Sequence, residues 1–422
     1  MALDLPGITL RLAQTDDLPQ IVNLERLAFA PLQSNTEIER DWFPQGLNPP
    51  GRRQFLAIED LTRLGIGVYT QIDLALFIES QEFPTMGIAG VAVAPEGRKQ
   101  RIARLLLEHA LDHARTRQIP LIMLYPFQHG FYRQLGWAWV GRVHQYPVAC
   151  RSLPLYPERF GIIPYDPEQH QSALQQIYQQ SAARHNGWLK RQSSHWQSRL
   201  ARNHGREIYC YVESGKLLGY VVFQFNFPET PLFQSLGLVV QEWVALTAEA
   251  YRGILGFLAA LEDQVEVVVW NTYPEDPFPY LLKEQQRHRV AGQHSPLYGL
   301  THRFGEMGGG FMWRLADLTA AFQLRPIQSG SAFTLTFQID DPILGEQTLT
   351  VNFAAGQMQI VKKVAPAILK TSIAHLTELF CGLRRSTELV WTREIEFEGD
   401  RSLLQKLDIA WQSTPPFCWD FF

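Results

Sequence analysis

Cysteine is scarce in this sequence. Cys150, Cys210, Cys381 and Cys418 are the only four in 422 residues, spaced too far apart for a zinc or dithiol motif, which excludes a disulfide framework and suits a reducing cytoplasm. No apolar run reaches the ~18 residues expected of a membrane span. The opening MALDLPGITLRL lacks the basic region and cleavage site of a signal peptide, so a cytoplasmic protein without a membrane span is expected. Charge of one sign is also missing: a formal net charge of -4 offers no bulk attraction to nucleic acid, and no nucleic-acid partner is expected. No serine stands in a nucleophile elbow. The triple glycine of FGEMGGG lacks the interrupted spacing of a dinucleotide fingerprint. His109 and His113 lie four apart beside Glu108 and Asp112, a metal-compatible spacing, but no third ligand accompanies them and no metal is expected.

What is present is apolar material for real cores, 46% hydrophobic over a length that accommodates two or three domains. The most informative stretch is Gly87 to Leu107, GIAGVAVAPEGRKQRIARLLL. Ile88, Val91 and Val93 build a strand edge, Pro95 closes it, and Arg98, Lys99, Arg101 and Arg104 crowd the start of a helix. The helix buries one stripe of Ile102, Leu105, Leu106, Ala110, Leu111 and Ala114, spaced at its period. Unpaired N–H groups at a helix start, the positive end of its dipole and the basic side chains together make a cradle for a pyrophosphate. No catalytic side chain stands within it, so the stretch reads as a site that holds a carried group.

Strand and helix signals alternate along the chain, giving a mixed α/β (α+β) protein. In the first segment Thr9 to Leu12, Phe55 to Glu59, Gly67 to Ile78 and Leu121 to Tyr125 read as strands and Asp16 to Phe29 as a helix. A second block has helical stretches at Gln169 to Ala183 and Ser193 to Arg202 and strands at Glu207 to Val212, Gly219 to Phe227, Glu242 to Leu246 and Val265 to Trp270. It looks like a degenerate copy of the first, because Thr247 to Arg252 carries no glycine turn and no phosphate cradle. A flexible linker is expected at Arg303 to Gly310. Beyond it come a helix over Leu315 to Phe322, strands at Phe333 to Ile339 and Leu349 to Phe353, and helices near Ser372 and Leu403. The expected domains are 1–150, 151–302 and 303–422.

The order of the first segment resembles the GCN5-related N-acetyltransferase fold, and the third block resembles a sterol-carrier-protein-like domain. Together with the repeated middle block, four pieces in sequence resemble the Eis (enhanced intracellular survival) family: the Gly87 stretch, LYPFQHGFYRQLGWAWV, NTYPEDPFPYLL and the tail SLLQKLDIAWQSTPPFCWDFF. The resemblance implies two tandem acetyltransferase-like units followed by the carrier-like domain. It also implies an N-acetyltransferase that uses acetyl-coenzyme A as co-substrate and passes the acetyl group directly to a primary amine such as an aminoglycoside, a polyamine or a lysine side chain. A symmetric homo-oligomer, a hexamer among the options, goes with it.

The site residues follow from that resemblance. The strand Val91, Ala92 and Val93 would pair with the pantetheine arm, and Arg98, Lys99, Arg101, Ile102 and Ala103 would hold the pyrophosphate. Arg101 departs from the superfamily pattern, which has glycine there, adding charge and bulk where the backbone must come close. Tyr132 matches the family's general acid, with Tyr125 as its rival. The family's general base is the terminal carboxylate, here that of Phe422, at the end of a tail whose Phe417, Trp419, Phe421 and Phe422 are too apolar to trail in solvent without cost. Glu25, Trp42 and Asp420 are candidates for selecting a cationic amine. The alternative is a lipid- or small-molecule-binding protein that works through its third domain on a decayed acetyltransferase scaffold.

Overall fold

A computed structural model of the chain describes residues 5–201, 205–226, 236–285, 305–328 and 330–422. The chain divides into two units: Met1–Val140 with Gly310–Pro416 and Asp420–Phe422, and Gly141–Gly309 with Phe417–Trp419.

The first unit begins with β1 (Ile8–Leu12), α1 (Leu18–Phe29) and α2 (Asn35–Trp42), followed by β2 (Arg52–Glu59), β3 (Gly65–Ile78) and β4 (Gln81–Val93). The four strands pair antiparallel in succession. The long β3–β4 hairpin turns through Glu79 and Ser80, whose φ values of 49° and 63° suit the right-handed twist of the paired strands. Helix α3 (Ile102–Thr116) then returns the chain so that β5 (Leu121–Leu124) lies parallel to β4. All six apolar residues of the α3 stripe are buried, and all but Leu105 share one core with Tyr69, Met86 and Ile122; full burial of a leucine or isoleucine is worth ~1.5–3 kcal/mol. Ile21, Val22 and Leu24 of α1 form a separate core with Ile38, Leu56, Val68 and Ala92. A short helix, α4 (His129–Arg133), precedes β6 (Ala138–Trp139).

The second unit contains β7 (Arg142–Ala149), β8 (Ile162–Pro164), α5 (Pro167–Ala182), α6 (Ser193–Leu200), β9 (Arg206–Glu213), β10 (Lys216–Asn226), β11 (Leu236–Ala245), α7 (Ala248–Ala259), β12 (Val265–Thr272), α8 (Phe278–Leu281) and β13 (Glu306–Gly309). Its sheet runs β13-β7-β12-β11-β10-β9-β8, with β11 and β12 parallel. The stretch expected to be a linker is a sheet edge: Glu306–Gly309 pairs with Arg142–Gln145 of β7. Glycine has no strong preference of its own, so the open edge of β7 decided its conformation. β7 itself, within the 1–150 segment of the sequence reading, pairs in this second sheet. Arg202, Phe227 and Arg303, which bounded expected elements, lie outside the described residues.

Leu315, expected to open a helix, instead ends a strand, β14 (Met312–Leu315), which is buried throughout and slots antiparallel between β5 and β6 of the first sheet. The following helix, α9 (Leu318–Leu324), starts where Asp317 caps it by accepting from the Ala320 N–H. Strands β15 (Phe333–Asp340), β16 (Gln347–Ala354), β17 (Gln357–Val361) and β18 (Ile368–Ser372), helices α10 (Ile373–Phe380) and α11 (Ser386–Trp391), strand β19 (Glu396–Glu398) and helix α12 (Ser402–Ala410) complete this part. Its sheet runs β17-β16-β15-β18-β19. A fully buried ion pair, Arg314 to Asp341 at 2.8 Å, ties β14 to it within the first unit. Trp411 fills its interior, packed on Phe322, Phe337, Phe353 and Phe380. A depression of about 60 Å³ lies beside Ile327, Phe333, Phe353 and Lys406, far below the ~300 Å³ at which small-molecule pockets begin.

Candidate active site

The loop from β4 to α3 is shaped by backbone as much as by charge. Lys99 and Arg101 both take left-handed conformations, with φ values of 64° and 65°, and Arg101 caps α3 without a side-chain hydrogen bond. The first intrahelical bond recorded at this end runs from Leu105 N to Arg101 O, so the N–H groups of Ile102, Ala103 and Arg104 have no helical acceptor. Arg98, Lys99 and Arg101 are exposed around them. Arg104 is turned away, bound to Glu108 at 2.6 Å and to the Pro342 carbonyl. The left-handed φ of Arg101 supplies a reason for glycine at this position in the superfamily pattern. In the second unit the equivalent helix start is closed: Thr247 Oγ1 accepts from Ala250 N at the head of α7.

The β4–β5 pairing ends at Ile88 with Leu124, while β4 continues to Val93 paired only with β3. The strands therefore part, and among the described residues one backbone edge of residues 89–93 is left without a strand neighbour. At the fork β4 bulges opposite Tyr69, with Gly90 at φ 57°. A side chain at residue 90 would not fit, since its Cβ would lie 2.7 Å from Glu25 Oε1. Ala92 is buried, while Val91 and Val93 are half-buried on the α3 side. Ile102 is buried beneath the loop, and Ala103 is half-buried. Glu25, on α1, is 6% exposed. Burial pushes its carboxyl up to about 8, against the opposing charge of Arg52.

The end of the chain reaches the same fork. The ring of Phe422 lies over Gly87, close enough that a Cβ there would meet its Cε2 at 2.9 Å. Tyr125, directly after β5, has ring centroids 4.6 Å from Phe421 and 5.7 Å from Phe422. Its hydroxyl donates to the Asp420 carbonyl at 2.6 Å. Asp420 is buried. Tyr132 lies on α4, 7% exposed, with its ring against Phe131 and Trp137. Burial raises its phenol above the ordinary value, and a hydrogen bond from the Phe127 backbone opposes the shift.

The other sequence candidates are placed differently. Trp42 is 38% exposed at the end of α2, tilted against Phe29. His109 and His113 are stacked at 6.0 Å, with their Nδ1 atoms bonded to Tyr69 Oη and Gln71 Oε1. Burial lowers both imidazole pKa values. Among the described residues no three His, Cys, Asp or Glu side chains gather as a metal site. Sequence reasoning missed the bulge at Gly90 and the seat at Gly87; the signal for both was the glycine spacing GIAG inside an otherwise strand-like run.

Comparison with known proteins bears on this geometry. Residues 9–140 and 187–315 each match an acetyltransferase (GNAT) domain family, and residues 318–419 match a sterol carrier protein domain. The N-acetyltransferase Eis of Mycobacterium tuberculosis (strain ATCC 25177 / H37Ra) is 22% identical over 365 residues, 83% of this chain and 84% of that protein; the Mycobacterium bovis BCG Pasteur protein of the same name matches equally. Among solved structures, a GCN5-related N-acetyltransferase from Anabaena variabilis aligns with a TM-score of 0.82 at 21% identity, covering 98% of this chain and 100% of that one. Eis1 from Mycobacterium abscessus aligns at 0.76 and 17%, covering 98% and 100%. Two sheets that each fork beside a single parallel pair, followed by a carrier-type sheet, define a tandem GCN5-related N-acetyltransferase. Within that class the chain belongs to the Eis family.

Proposed function

We propose that this enzyme transfers an acetyl group from acetyl-coenzyme A directly to a primary amine of the aminoglycoside, polyamine or lysine side-chain class, with Tyr132 as general acid and the Phe422 carboxylate as general base. One observation carries the reading: the last residue sits over Gly87 beside Tyr125, where β4 and β5 part. When bound, acetyl-coenzyme A supplies the thioester carbon that the amine attacks and the thiol that departs.

The remaining work belongs to the chain. N–H groups of Ile102 to Arg104, with Arg98, Lys99 and Arg101, hold the pyrophosphate. The unpaired edge of Val91 to Val93 takes the pantetheine arm as a further strand, and the Val91 N–H polarises the thioester carbonyl. The Phe422 carboxylate takes a proton from the amine, and the Tyr132 phenol, kept protonated by burial, gives one to the departing sulfur. Tyr125 is less suited to that task because its proton is engaged by the Asp420 carbonyl. Asp420 supplies acidic surroundings that favour a cation, and Glu25, which burial keeps protonated up to about 8, adds its charge only when ionised. The family resemblance extends the reading to a homo-oligomer. The lipid-binding alternative has less support, since Trp411 and its aromatic neighbours occupy the carrier-like interior.

The test is incubation with acetyl-coenzyme A and a panel of aminoglycosides and polyamines, following free thiol. One thiol per acetylated amine is expected. No thiol with any amine, and no calorimetric heat with coenzyme A, overturns the reading. Two residues added past Phe422 should cut turnover by orders of magnitude at unchanged coenzyme A affinity; unaltered turnover removes Phe422 from the role of base.

A further inference from the structure

The second sheet forks like the first. Pairing of β11 with β12 ends at Val240 with Trp270, beyond which β11 stays with β10 through Ala245 and β12 stays with β7. The first fork is lined by free backbone edge, a bulge and a carboxyl. Rings line the second. Trp243 stacks on Trp270 at 5.3 Å, and Tyr251 and Tyr273 approach Trp243 at 5.0 and 5.6 Å.

Phe417 and Trp419 complete this cluster. Trp419 stands edge-on to Trp243 at 6.2 Å and to Trp188 at 5.9 Å, and Phe417 meets Tyr273 at 5.8 Å and Trp419 at 4.7 Å. All these rings belong to the second unit. The main chain of the segment is tied as well: the Phe417 N–H donates to the Asn186 carbonyl at 2.9 Å, and the Arg199 guanidinium donates to the Trp419 carbonyl. Arg199 is held in turn by Glu242, 3.0 Å from its Nε, and that fully buried carboxylate also receives Arg191 and the Tyr220 hydroxyl.

We propose that the fork of the second unit is a binding site whose ligand is the chain's own segment Phe417–Trp419, and that Arg199 is a positioning residue for the end of the chain. The proposal rests on the reading of Phe422 as base. Phe422 is the third residue after Trp419, and three residues span at most ~10 Å. Fixing the Trp419 carbonyl therefore confines the terminal carboxylate to a small volume before substrate arrives, so the entropy of ordering the tail is met on folding rather than in each turnover. The rings that close the second fork to a pantetheine arm are the same rings that receive the tail.

The experiment uses the full chain with Arg199→Gln, Arg199→Lys and Trp419→Ala, and an independent physical readout, release of Phe422 and Phe421 by carboxypeptidase under native conditions. Trimming should accelerate at least about tenfold in Arg199→Gln and Trp419→Ala, with kcat down roughly ten- to a hundredfold and coenzyme A affinity unchanged. Arg199→Lys, which keeps a cationic donor, should recover part of both. If Arg199→Gln fails to fold because Glu242 loses a partner, Trp419→Ala carries the test. Trimming at the wild-type rate in Trp419→Ala overturns the proposal, even where the chain extended past Phe422 is inactive and the base reading stands. Faster trimming with unchanged turnover, in a protein whose extension past Phe422 also leaves turnover unchanged, supports the binding site and overturns the base reading together with the positioning role of Arg199.

Discussion

The phenol of Tyr125 donates a 2.6 Å hydrogen bond to the backbone carbonyl of Asp420, across a sequence separation of 295 residues. This single bond pins the last turn of chain to the strand end where β4 and β5 part. It also distinguishes the two tyrosines of the site. Tyr125 holds the tail, and Tyr132 stands buried on α4 with its phenol raised by desolvation. Tyr132→Phe is expected to lower kcat by about 10²–10⁴, the usual range for a general acid, with coenzyme A affinity unchanged. Tyr125→Phe should cost ~1 kcal/mol of tail anchoring and a smaller part of turnover. Steady-state kinetics of the two variants decide, and a larger loss in Tyr125→Phe would exchange their roles.

Gly87 gives Phe422 its seat. An alanine Cβ there would lie 2.7 Å from Leu74 Cδ1 and 2.9 Å from the Phe422 ring, so one or both must shift. Gly87→Ala should cost ~1–3 kcal/mol of stability through overpacking and, by displacing the terminal residue, reduce kcat roughly a hundredfold. Denaturant melts and kcat measured together check this. Wild-type turnover in a destabilised variant would show that the ring's seat does not matter to chemistry.

Glu25 makes stability depend on pH. Its folded value is raised from 4.5 to about 8, so between those limits the native state keeps a proton that the unfolded chain has released. Stability then falls as pH climbs through this window and levels off above about 8. The loss is on the order of a few kcal/mol, and Glu25→Gln should abolish it. Unfolding free energies at pH 5, 6.5 and 8 test the slope; equal slopes in wild type and variant would contradict the buried-carboxyl account.

Arg101 occupies a left-handed position at φ 65°, which costs an L-residue about 1–2 kcal/mol. Arg101→Gly should recover up to ~1 kcal/mol after the added entropy of the unfolded glycine is counted. Coenzyme A binding should weaken and lose part of its salt dependence, because a charge leaves the cradle. Thermal melts and titrations at two ionic strengths would show both effects, and tighter binding in the variant would mean that the bulk of Arg101 outweighs its charge.

The two helix starts differ: α3 has no side-chain cap, and α7 is capped by Thr247. Calorimetry should therefore find one coenzyme A per chain, with Arg98→Ala plus Lys99→Ala weakening that single event. A second equivalent on the same chain would contradict this.

Much of the site was legible before folding because it is local. The stripe on α3, the basic loop and the strand before it depend on residues a few positions apart, and their periodicity and helix-start chemistry can be read along the line. The apolar tail also announced burial, which holds for Phe417 and Trp419, whereas Phe421 is 79% exposed and Phe422 half-buried. Residues 306–309 and 312–315 could not be read that way, since both became strands only because β7 and the β5–β6 gap offered partners distant in sequence. The sequence by itself determined the basic helix start after Pro95 and the apolar character of the tail. Tertiary structure alone decided that Phe422 lands on Gly87, that Glu25 faces the bulge at Gly90, and that rings close the second fork. These are contacts between residues tens to hundreds of positions apart, and only the pairing of the strands brings them together.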